Sequence, residues 1–341
     1  MNILISSGGR RVGLAKSFRE SQEELGVRGR LIGIDATPYS SIAHFTDAFH
    51  TVPPCTDAKF IPALKQICER EQVDLLVPTI DSELSVYAAV KEEFEACGTR
   101  IAVSAPETIE IARDKRRTHA WLSAQGFPVP RQATPEQVLA HSSEWKLPLI
   151  LKPAGGSASV GLHVLDSFDA LAATAKAQDN CVVQELIGGR EHTVNVFVNS
   201  RGQCICAVPH LRMEVRGGEV SKAVTVKHRE LMGRVTTLVE ALPGAYGALN
   251  VQCFVTAAEE LRFIEINARF GGGYPLTHRA GAKITSWLLE DLAGSGPQAA
   301  CEEWQEGLLM LRYDEAVYRS HSDNVDSGLP SALPSSAPYK T

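Results

Sequence analysis

Short apolar runs alternate with helix-like segments along the first third of the chain. Residues 2–6 form an apolar run, residues 12–25 follow with helical periodicity, and a second apolar run spans 31–35. The alternation continues up to the apolar run at 100–103. Because a strand, a helix and a second strand in succession form a parallel βαβ unit, we expect residues 1–105 to form a doubly wound, Rossmann-like α/β domain.

The pattern changes near residue 148, where strand-like runs follow one another with fewer helices between them. This change predicts an α+β body with antiparallel sheets. We assign residues 106–190 to linker helices and a small subdomain, and residues 191–319 to a C-terminal subdomain. Residues 320–341 are rich in Ser, Pro and Ala and predict a mobile tail.

Composition and charge limit the classes of partner. The 341 residues predict two to three domains, and 44% hydrophobic with 22% charged residues is typical of soluble globular proteins. Acidic residues outnumber basic ones by 40 to 34, which argues against a nucleic-acid partner. No apolar run has the length of a membrane span, and the N-terminus lacks the basic and apolar regions of a secretory signal. We therefore expect a cytoplasmic protein with no membrane partner.

The eight cysteines are dispersed and include no Cys-x-x-Cys pair. We interpret them as reduced structural thiols. Cys204 and Cys206 share one face of a strand, but a metal site there would need two further nearby ligands.

A lysine followed by small residues is the strongest local chemical signal. Lys152 ends an apolar strand, and residues 153–161 read PAGGSASVG. Small residues let backbone amides approach phosphate oxygens, and the lysine supplies a positive charge. The segment is not a P-loop, because no Gly-Lys-Ser/Thr follows and the loop leads into a strand. Taken alone, it is equally compatible with a flexible hairpin.

Oxygen-bearing side chains alternate along two later strands. Glu265 and Asn267 share a face because they are two residues apart, and Gln252 could join them from a paired strand. One carboxylate with two amide oxygens suits Mg²⁺, which keeps few protein ligands beside substrate phosphates. If the strand persists, Arg269 lies on the same face, where a guanidinium suits a phosphoryl group in transfer. The alternative is a solvated strand edge.

These segments, in their order along the chain, resemble the ATP-grasp superfamily, most closely the branch related to the carbamoyl-phosphate synthase large chain. The resemblance covers about residues 1–315 and is carried by Asp114-Lys115, KPAGGSASVG, QELIGGRE, NVQ and EINARFGGG. The branch includes single-chain amino-acid ligases and the pyrrolysine-pathway ligase. The resemblance implies a Rossmann-like pre-ATP-grasp domain followed by an α+β ATP-grasp fold.

The resemblance also implies an activity, namely an ADP-forming carboxylate–amine ligase. Such an enzyme uses Mg-ATP to activate a small carboxylic acid, here expected to be an amino acid, as an acyl phosphate that an amine captures. Mg²⁺ is the implied metal, and Mn²⁺ could substitute. The implied partners are small-molecule substrates, and homodimers are common in the family.

Site residues are implied in three sets. The implied catalytic residues are Arg269 and Lys152, and the implied metal ligands are Gln252, Glu265 and Asn267. The implied nucleotide-binding residues are Lys115, Lys152, Gly155, Gly156, Ser157, Ser159, Gly161, Gln184, Glu185, Leu186, Ile187, Glu191 and Asn267.

Substrate residues are less clear from the sequence. Arg212 and Arg216 lie in a strand-loop segment and could hold a carboxylate, but a charged hairpin facing water would look the same. Asp81 and Glu83 follow a strand of the front domain and could hold an ammonium group, although helix capping is the commoner use. Residues 7–11 could bind an anion but lack the dinucleotide fingerprint, so we do not expect NAD.

Two alternatives to the ligase remain open. One is an ammonia-using or other acyl-phosphate-forming enzyme, and the other is a catalytically inactive ATP-binding regulatory protein. The chain is long enough for one grasp unit only, and neither an amidotransferase segment nor a biotin-attachment segment is recognisable. The complete set of metal and phosphoryl residues favours an active enzyme.

Overall fold

The computed structural model describes residues 1–156 and 160–318. Ser157, Ser159 and the expected tail at 320–341 therefore lie outside the described residues. Among the helices that are described, none combines the length and the apolar character needed to cross a membrane.

The front domain is a parallel five-stranded sheet in the order β3-β2-β1-β4-β5 with helices between its strands. Its first strand is completely buried, as expected for a central parallel strand covered on both faces. The predicted doubly wound fold is confirmed. The elements are β1 (Ile3–Ile5), α1 (Val12–Glu24), β2 (Leu31–Asp35), β3 (Ala48–Thr51), α2 (Phe60–Glu71), β4 (Leu75–Val77), α3 (Asp81–Glu95) and β5 (Arg100–Ile101).

Two helices lead from the front domain into a small antiparallel sheet, ordered β6-β9-β7-β8. Asp114 caps the second of these helices, since its side chain accepts a hydrogen bond from Arg116 N. The sheet and its helices pack around their own hydrophobic cluster. The elements are α4 (Pro106–Ala112), α5 (Lys115–Ala124), β6 (Gln132–Ala133), α6 (Pro135–Ala140), β7 (Leu149–Pro153), β8 (His163–Leu165), α7 (Phe168–Ala177) and β9 (Cys181–Glu185).

The remaining described chain forms an antiparallel six-stranded sheet, ordered β14-β13-β10-β11-β12-β15. This arrangement confirms the predicted α+β body. The elements are β10 (Arg190–Val198), β11 (Cys204–Arg216), β12 (Glu219–Thr225), α8 (Arg229–Ala241), β13 (Gly247–Val255), β14 (Leu261–Asn267), α9 (Tyr274–Arg279), α10 (Ile284–Leu292) and β15 (Leu309–Leu311).

One hydrophobic core runs through both the front domain and the six-stranded sheet. Helix α1 packs on α9 and α10, and a buried hydrogen bond of 2.7 Å joins Ser21 Oγ to Thr285 Oγ1 across this contact. Because the core is continuous, the front domain is fixed against the large sheet. Residues from both units can therefore meet at one site.

The structure differs from the sequence-based elements at the C-terminal end. Helical periodicity at 279–292 predicts one helix, whereas the chain forms α9 and α10 with a break between them. Gly281 in this break has a φ of 108°, which is incompatible with a right-handed helix. The short strands β3, β6 and β15 have too few residues for a periodic signal.

Candidate active site

A cleft of about 470 Å³ lies where the front domain, the small sheet and the large sheet meet. All three units contribute to its lining, and residues predicted from separate segments of the chain come together there. The predicted residues that line it are Asp81, Lys115, Lys152, Gly155, Gly156, Gln184, Glu185, Ile187, Glu191, Arg212, Gln252, Glu265, Asn267 and Arg269.

A transverse row of polar side chains crosses the large sheet on the cleft side. The strand register pairs Glu265 with Gln252, Gln252 with Thr193, Thr193 with His210, and His210 with Thr225. Directly paired residues of neighbouring antiparallel strands share a face of the sheet. The first four members of this row therefore lie side by side along the floor of the cleft.

A second row, two residues further along the strands, consists of asparagines. Asn267 pairs with Asn250, and Asn250 pairs with Asn195. Asn267 Oδ1 accepts a hydrogen bond of 3.2 Å from Arg269 Nη2, and Asn250 Nδ2 donates one of 3.0 Å to the carbonyl of Arg269. These contacts hold Arg269 at the edge of the two rows.

The oxygen donors at one end of the rows fit a hard cation. Glu265 and Gln252 are direct cross-strand neighbours, and Asn267 is two residues from Glu265 on the same face. Within the described part of the chain, no three His, Cys, Asp or Glu side chains form a metal cluster. A cation here would thus rely on one carboxylate, amide oxygens and the phosphates of a ligand, which is a donor set that suits Mg²⁺.

Two lysines face this cation end from the small sheet and α5. Lys115 Nζ donates a 3.0 Å hydrogen bond to the carbonyl of Gly156. Burial lowers the pKa of Lys152 to about 8, and the nearby charge of Lys115 acts in the same direction, while Glu265 opposes them. An anion placed between these lysines would raise the pKa of Lys152 again.

The end of the cleft beside β9 has apolar walls and backbone groups. Ile150 and Ile187 line this end, and Gln184 is held by a 2.6 Å hydrogen bond from its Nε2 to Gln132 Oε1. Glu185 directs its carboxylate to the backbone nitrogen of Arg131, at 2.8 Å. The arrangement suits a flat heterocycle that is recognised by backbone groups along one edge.

Glu191 lies between the two ends of the cleft. Its carboxylate forms an ion pair of 3.1 Å with Arg212 Nε, so the structure joins a predicted ribose ligand to a predicted substrate ligand. Burial raises the pKa of Glu191, and Arg212 works against this shift.

The wall contributed by the front domain is strongly charged. Arg269 Nη2 lies 2.6 Å from Asp81 Oδ2, and Arg11 Nη1 lies 2.8 Å from Glu219 Oε1. Glu219 Oε2 also pairs with Arg312 Nη1 at 2.9 Å. The pairs of Arg269 with Asp81 and of Arg11 with Glu219 join the front domain to the large sheet at the rim of the cleft.

Of the predicted residues that the structure describes, four do not line the cleft. Gly161 lies beside it and uses its carbonyl to accept a hydrogen bond from Gln178, Leu186 is exposed, and Arg216 is exposed near Asp314. Glu83 is 1% exposed and accepts hydrogen bonds from Ser6 Oγ, at 2.8 Å, and from Ser7 Oγ. Burial raises the pKa of Glu83 to about 7.

Several lining residues were not singled out by sequence reasoning. Thr193 was within reach of the sequence, because it is two residues from Glu191 on one strand and so shares its face. Arg10 and Arg11 fall in the turn at 7–11, for which the sequence allowed an anion site, whereas His210 and Glu219 gave no comparable signal.

Two family models and several known proteins are similar to this chain in sequence. Residues 3–102 match the family model for the PylC-like N-terminal domain, and residues 112–273 match that for the ATP-grasp domain. The carbamoyl phosphate synthase large chain of Thermoplasma acidophilum is 24% identical over 261 residues, which cover 66% of this chain and 24% of that protein. The D-alanine--D-alanine ligase of Corynebacterium aurimucosum is 27% identical over 146 residues, covering 40% of this chain and 41% of that protein.

A solved structure gives the same picture of the fold. The biotin carboxylase of Campylobacter jejuni, solved with β,γ-ATP, superposes with a TM-score of 0.72 at 19% identity, covering 90% of this chain and 74% of that one. The chain spans less than half the length of the curated relatives described above. The chain thus carries an ATP-grasp domain at residues 112–273 behind a PylC-like N-terminal domain at residues 3–102.

Proposed function

We propose that the protein is an ADP-forming carboxylate–amine ligase that activates a small carboxylic acid, an amino acid in the simplest case, with Mg-ATP. The observation that carries the proposal is the meeting of Lys152, Glu265, Gln252, Asn267 and Arg269 around one cleft. These residues combine the positive charges and oxygen donors that phosphoryl transfer requires.

The nucleotide is proposed to lie with its base against β9 and its phosphates toward the lysines. Lys115 and Lys152 then neutralise phosphate charge, and Glu191 accepts hydrogen bonds from the ribose. Glu265, Gln252 and Asn267 would hold Mg²⁺, which supplies charge neutralisation at the phosphate oxygens. All of these side chains line the cleft, which supports this placement.

The proposed reaction has two steps. A carboxylate oxygen of the acid attacks the γ-phosphorus of ATP, and the bond to the β-phosphate oxygen breaks to release ADP. An amine then attacks the acyl carbon of the acyl phosphate, inorganic phosphate leaves, and the amine loses a proton. Arg269 is suited to stabilise the transferring phosphoryl group, because its guanidinium is fixed beside Asn267.

The acid is proposed to bind at the rim formed by the front domain. Arg10, Arg11, Arg269 and Arg312 outnumber Asp81 and Glu219 at this rim, which favours an anionic substrate. We also propose the cytoplasm as the working compartment, because all eight cysteines are free thiols.

The decisive experiment measures ADP and phosphate release with Mg-ATP across pairs of acids and amines, ammonia included, with products identified by mass spectrometry. Release that needs both partners and yields a condensed product supports the ligase. Glu265→Gln should abolish this release, whereas Glu23→Gln, which alters an exposed carboxylate on α1, should not.

Other outcomes separate the alternatives. Release with ammonia alone as nucleophile would favour the ammonia-using enzyme. Binding of Mg-ATP without release for any pair would contradict the ligase and favour the inactive ATP-binding protein. Full activity in Glu265→Gln would contradict the assignment of the metal site.

A further inference from the structure

A buried histidine of β11 lies on the floor of the cleft with one ring nitrogen that has no partner. His210 is 1% exposed, and its Nε2 has no hydrogen-bond partner among the described residues. An unpaired polar atom in a buried position is costly, so such atoms normally have a ligand, water or protein partner. His210 is also one of the residues that line the cleft.

The neighbouring amide sets the tautomer of this imidazole. Asn195 Nδ2 lies 3.5 Å from His210 Nδ1 and donates a hydrogen bond of 2.7 Å to Thr277 Oγ1. Because an amide nitrogen only donates, Nδ1 acts as the acceptor and the proton of the neutral ring is on Nε2. Burial lowers the pKa of His210 to about 3, with Arg212 and His192 acting in the same direction. The side chain is therefore a neutral N–H donor.

The glycine loop after β14 packs directly against this donor. A Cβ atom on Gly273 would lie 2.7 Å from His210 Nε2 and 2.7 Å from Cε1. Gly273 also lines the cleft, so the ring nitrogen faces a wall from which the side chain is missing. A substrate oxygen can therefore reach Nε2 when the Gly273 backbone moves away from the ring, and the missing side chain leaves only backbone to displace.

The position of His210 in the transverse row separates it from the nucleotide. It lies two strands beyond Gln252, which at about 4.8 Å per strand puts the two backbones roughly 10 Å apart. Its neighbours are instead the charged groups of the rim. The next glycine, Gly272, would bring a Cβ within 2.9 Å of the Glu219 carboxylate, and Glu219 pairs with Arg11.

We propose that His210 is a specificity-determining residue that donates a hydrogen bond from Nε2 to an oxygen of the acid substrate. The inference rests on the proposed function and deepens it, because it gives the acid a specific neutral donor beside the arginines. A neutral N–H group donates a hydrogen bond to a carbonyl or carboxylate oxygen, whereas an ammonium group offers no acceptor to it. It thereby fixes which end of an amino acid faces the γ-phosphate.

The test compares His210→Leu and His210→Gln with the wild type, using the acid and amine found active in the release assay. Leucine removes the donor, and glutamine keeps a side-chain N–H. For His210→Leu, we expect the KM for the acid to rise by about tenfold or more, with an unchanged KM for ATP. Glutamine should restore part of the loss.

His192→Leu is the matched control. His192 is also a buried imidazole, on the adjacent strand β10, but its Nδ1 is bonded to the carbonyl of Arg190 at 2.9 Å and it does not line the cleft. The KM for the acid should be unchanged in this variant. If His210→Leu fails to fold, ¹⁵N-histidine NMR of the wild type decides: the His210 ring must show the Nε2–H tautomer, and its Nε2 signal must shift when the acid is added.

The outcomes distinguish the inference from the proposed function. Four outcomes with an active wild type would overturn the role of His210 alone. In the variants, these are an unchanged KM for the acid in His210→Leu, an equal rise in its KM for ATP, and a KM for the acid in His210→Gln that is no better than in His210→Leu. The fourth is an Nδ1–H tautomer of His210 in the wild type. A wild type that releases no ADP with any acid overturns the proposed function, and the inference falls with it.

Discussion

Arg269 Nη2 and Asp81 Oδ2 are 2.6 Å apart, although the two residues are separated by 188 positions in the sequence. Asp81 begins α3 of the front domain, and Arg269 follows β14 of the large sheet. Both side chains are mostly buried, at 12% exposure for Arg269 and 29% for Asp81, so the pair is only partly screened by solvent. Asp81 is therefore a positioning residue for Arg269 as well as a candidate substrate ligand.

Asp81→Asn should lower kcat more than it raises the KM for ATP. The amide can still accept a hydrogen bond from Arg269, but it no longer supplies the charge that orients the guanidinium. We expect a loss in kcat of about tenfold, measured by ADP release. Asp166→Asn, which changes an exposed carboxylate before α7, should leave both constants unchanged. A pure rise in the KM for the amine would instead indicate that Asp81 binds that substrate and does not position Arg269.

Binding of Mg-ATP should take up protons near pH 8. The pKa of Lys152 is about 8 in the free protein because of burial, and bound phosphates should raise it. Protons are then taken up on binding at pH values around and above 8, and affinity falls as the pH rises through this range. Calorimetry in two buffers with different ionisation enthalpies measures the uptake.

Two variants control this proton linkage. Lys152→Met should bind Mg-ATP more weakly and without the uptake, whereas the exposed Lys146→Met should behave like the wild type. Proton uptake that persists undiminished in Lys152→Met would assign it to another group.

Stability should depend on pH through Glu83. Its pKa is about 7 in the folded protein because of burial, against the ordinary glutamate value of 4.5 in the unfolded chain. The folded state therefore binds the proton more tightly. The contribution of Glu83 to the free energy of unfolding is fully present below pH 4.5 and is lost as the pH rises to about 7.

Glu83→Gln should remove this dependence, because glutamine is uncharged and similar in shape. The free energy of unfolding from urea titrations, taken relative to Glu83→Gln, should fall for the wild type between pH 4.5 and 7. Glu23→Gln should keep the wild-type profile. A constant difference between the wild type and Glu83→Gln over this range would show that the carboxyl does not titrate there.

Gly273→Ala tests the close packing of the Gly273 backbone against the His210 ring. Its backbone φ of −82° is ordinary, so the added methyl acts through the 2.7 Å approach to the imidazole and not through backbone strain. We expect a loss of about 1–3 kcal/mol in the free energy of unfolding, together with weaker acid-dependent turnover. Gly233→Ala, on the exposed face of α8 with no atom near the new methyl, should instead add about 0.5–1 kcal/mol. Equal effects of the two changes would contradict the tight contact.

The sequence predicted side chains that share a strand better than those that meet across units. Glu265 and Asn267 could be placed on one face because the two-residue period of a strand is a backbone property. Gln252, which could join them from a paired strand, is indeed the cross-strand neighbour of Glu265. Their roles at a metal remain a prediction. Arg11 and Glu219 meet only because the shared core docks the front domain on the large sheet, and periodicity does not specify docking.

Asp81 and Glu83 show a second limit of sequence reasoning. Both stand in the first turn of α3, where spacing alone makes them equivalent candidates. On a helix, two residues apart means a rotation of about 200°, so the two carboxylates point in nearly opposite directions. One lines the cleft and the other is sealed inside the front domain. Which of them faces outward depends on how the helix is rotated against its sheet.

The transverse row on the large sheet also fixes the distances between the side chains that it carries. Its spacing comes from the hydrogen bonds between strands, so the separation between Glu265 and His210 is independent of the side chains that occupy the row. With His210 in its proposed role, a substitution at this position would change which chemical group is recognised at that distance without changing the distance itself. A chain of this fold could thus exchange one substrate for another of equal reach by altering a single strand residue.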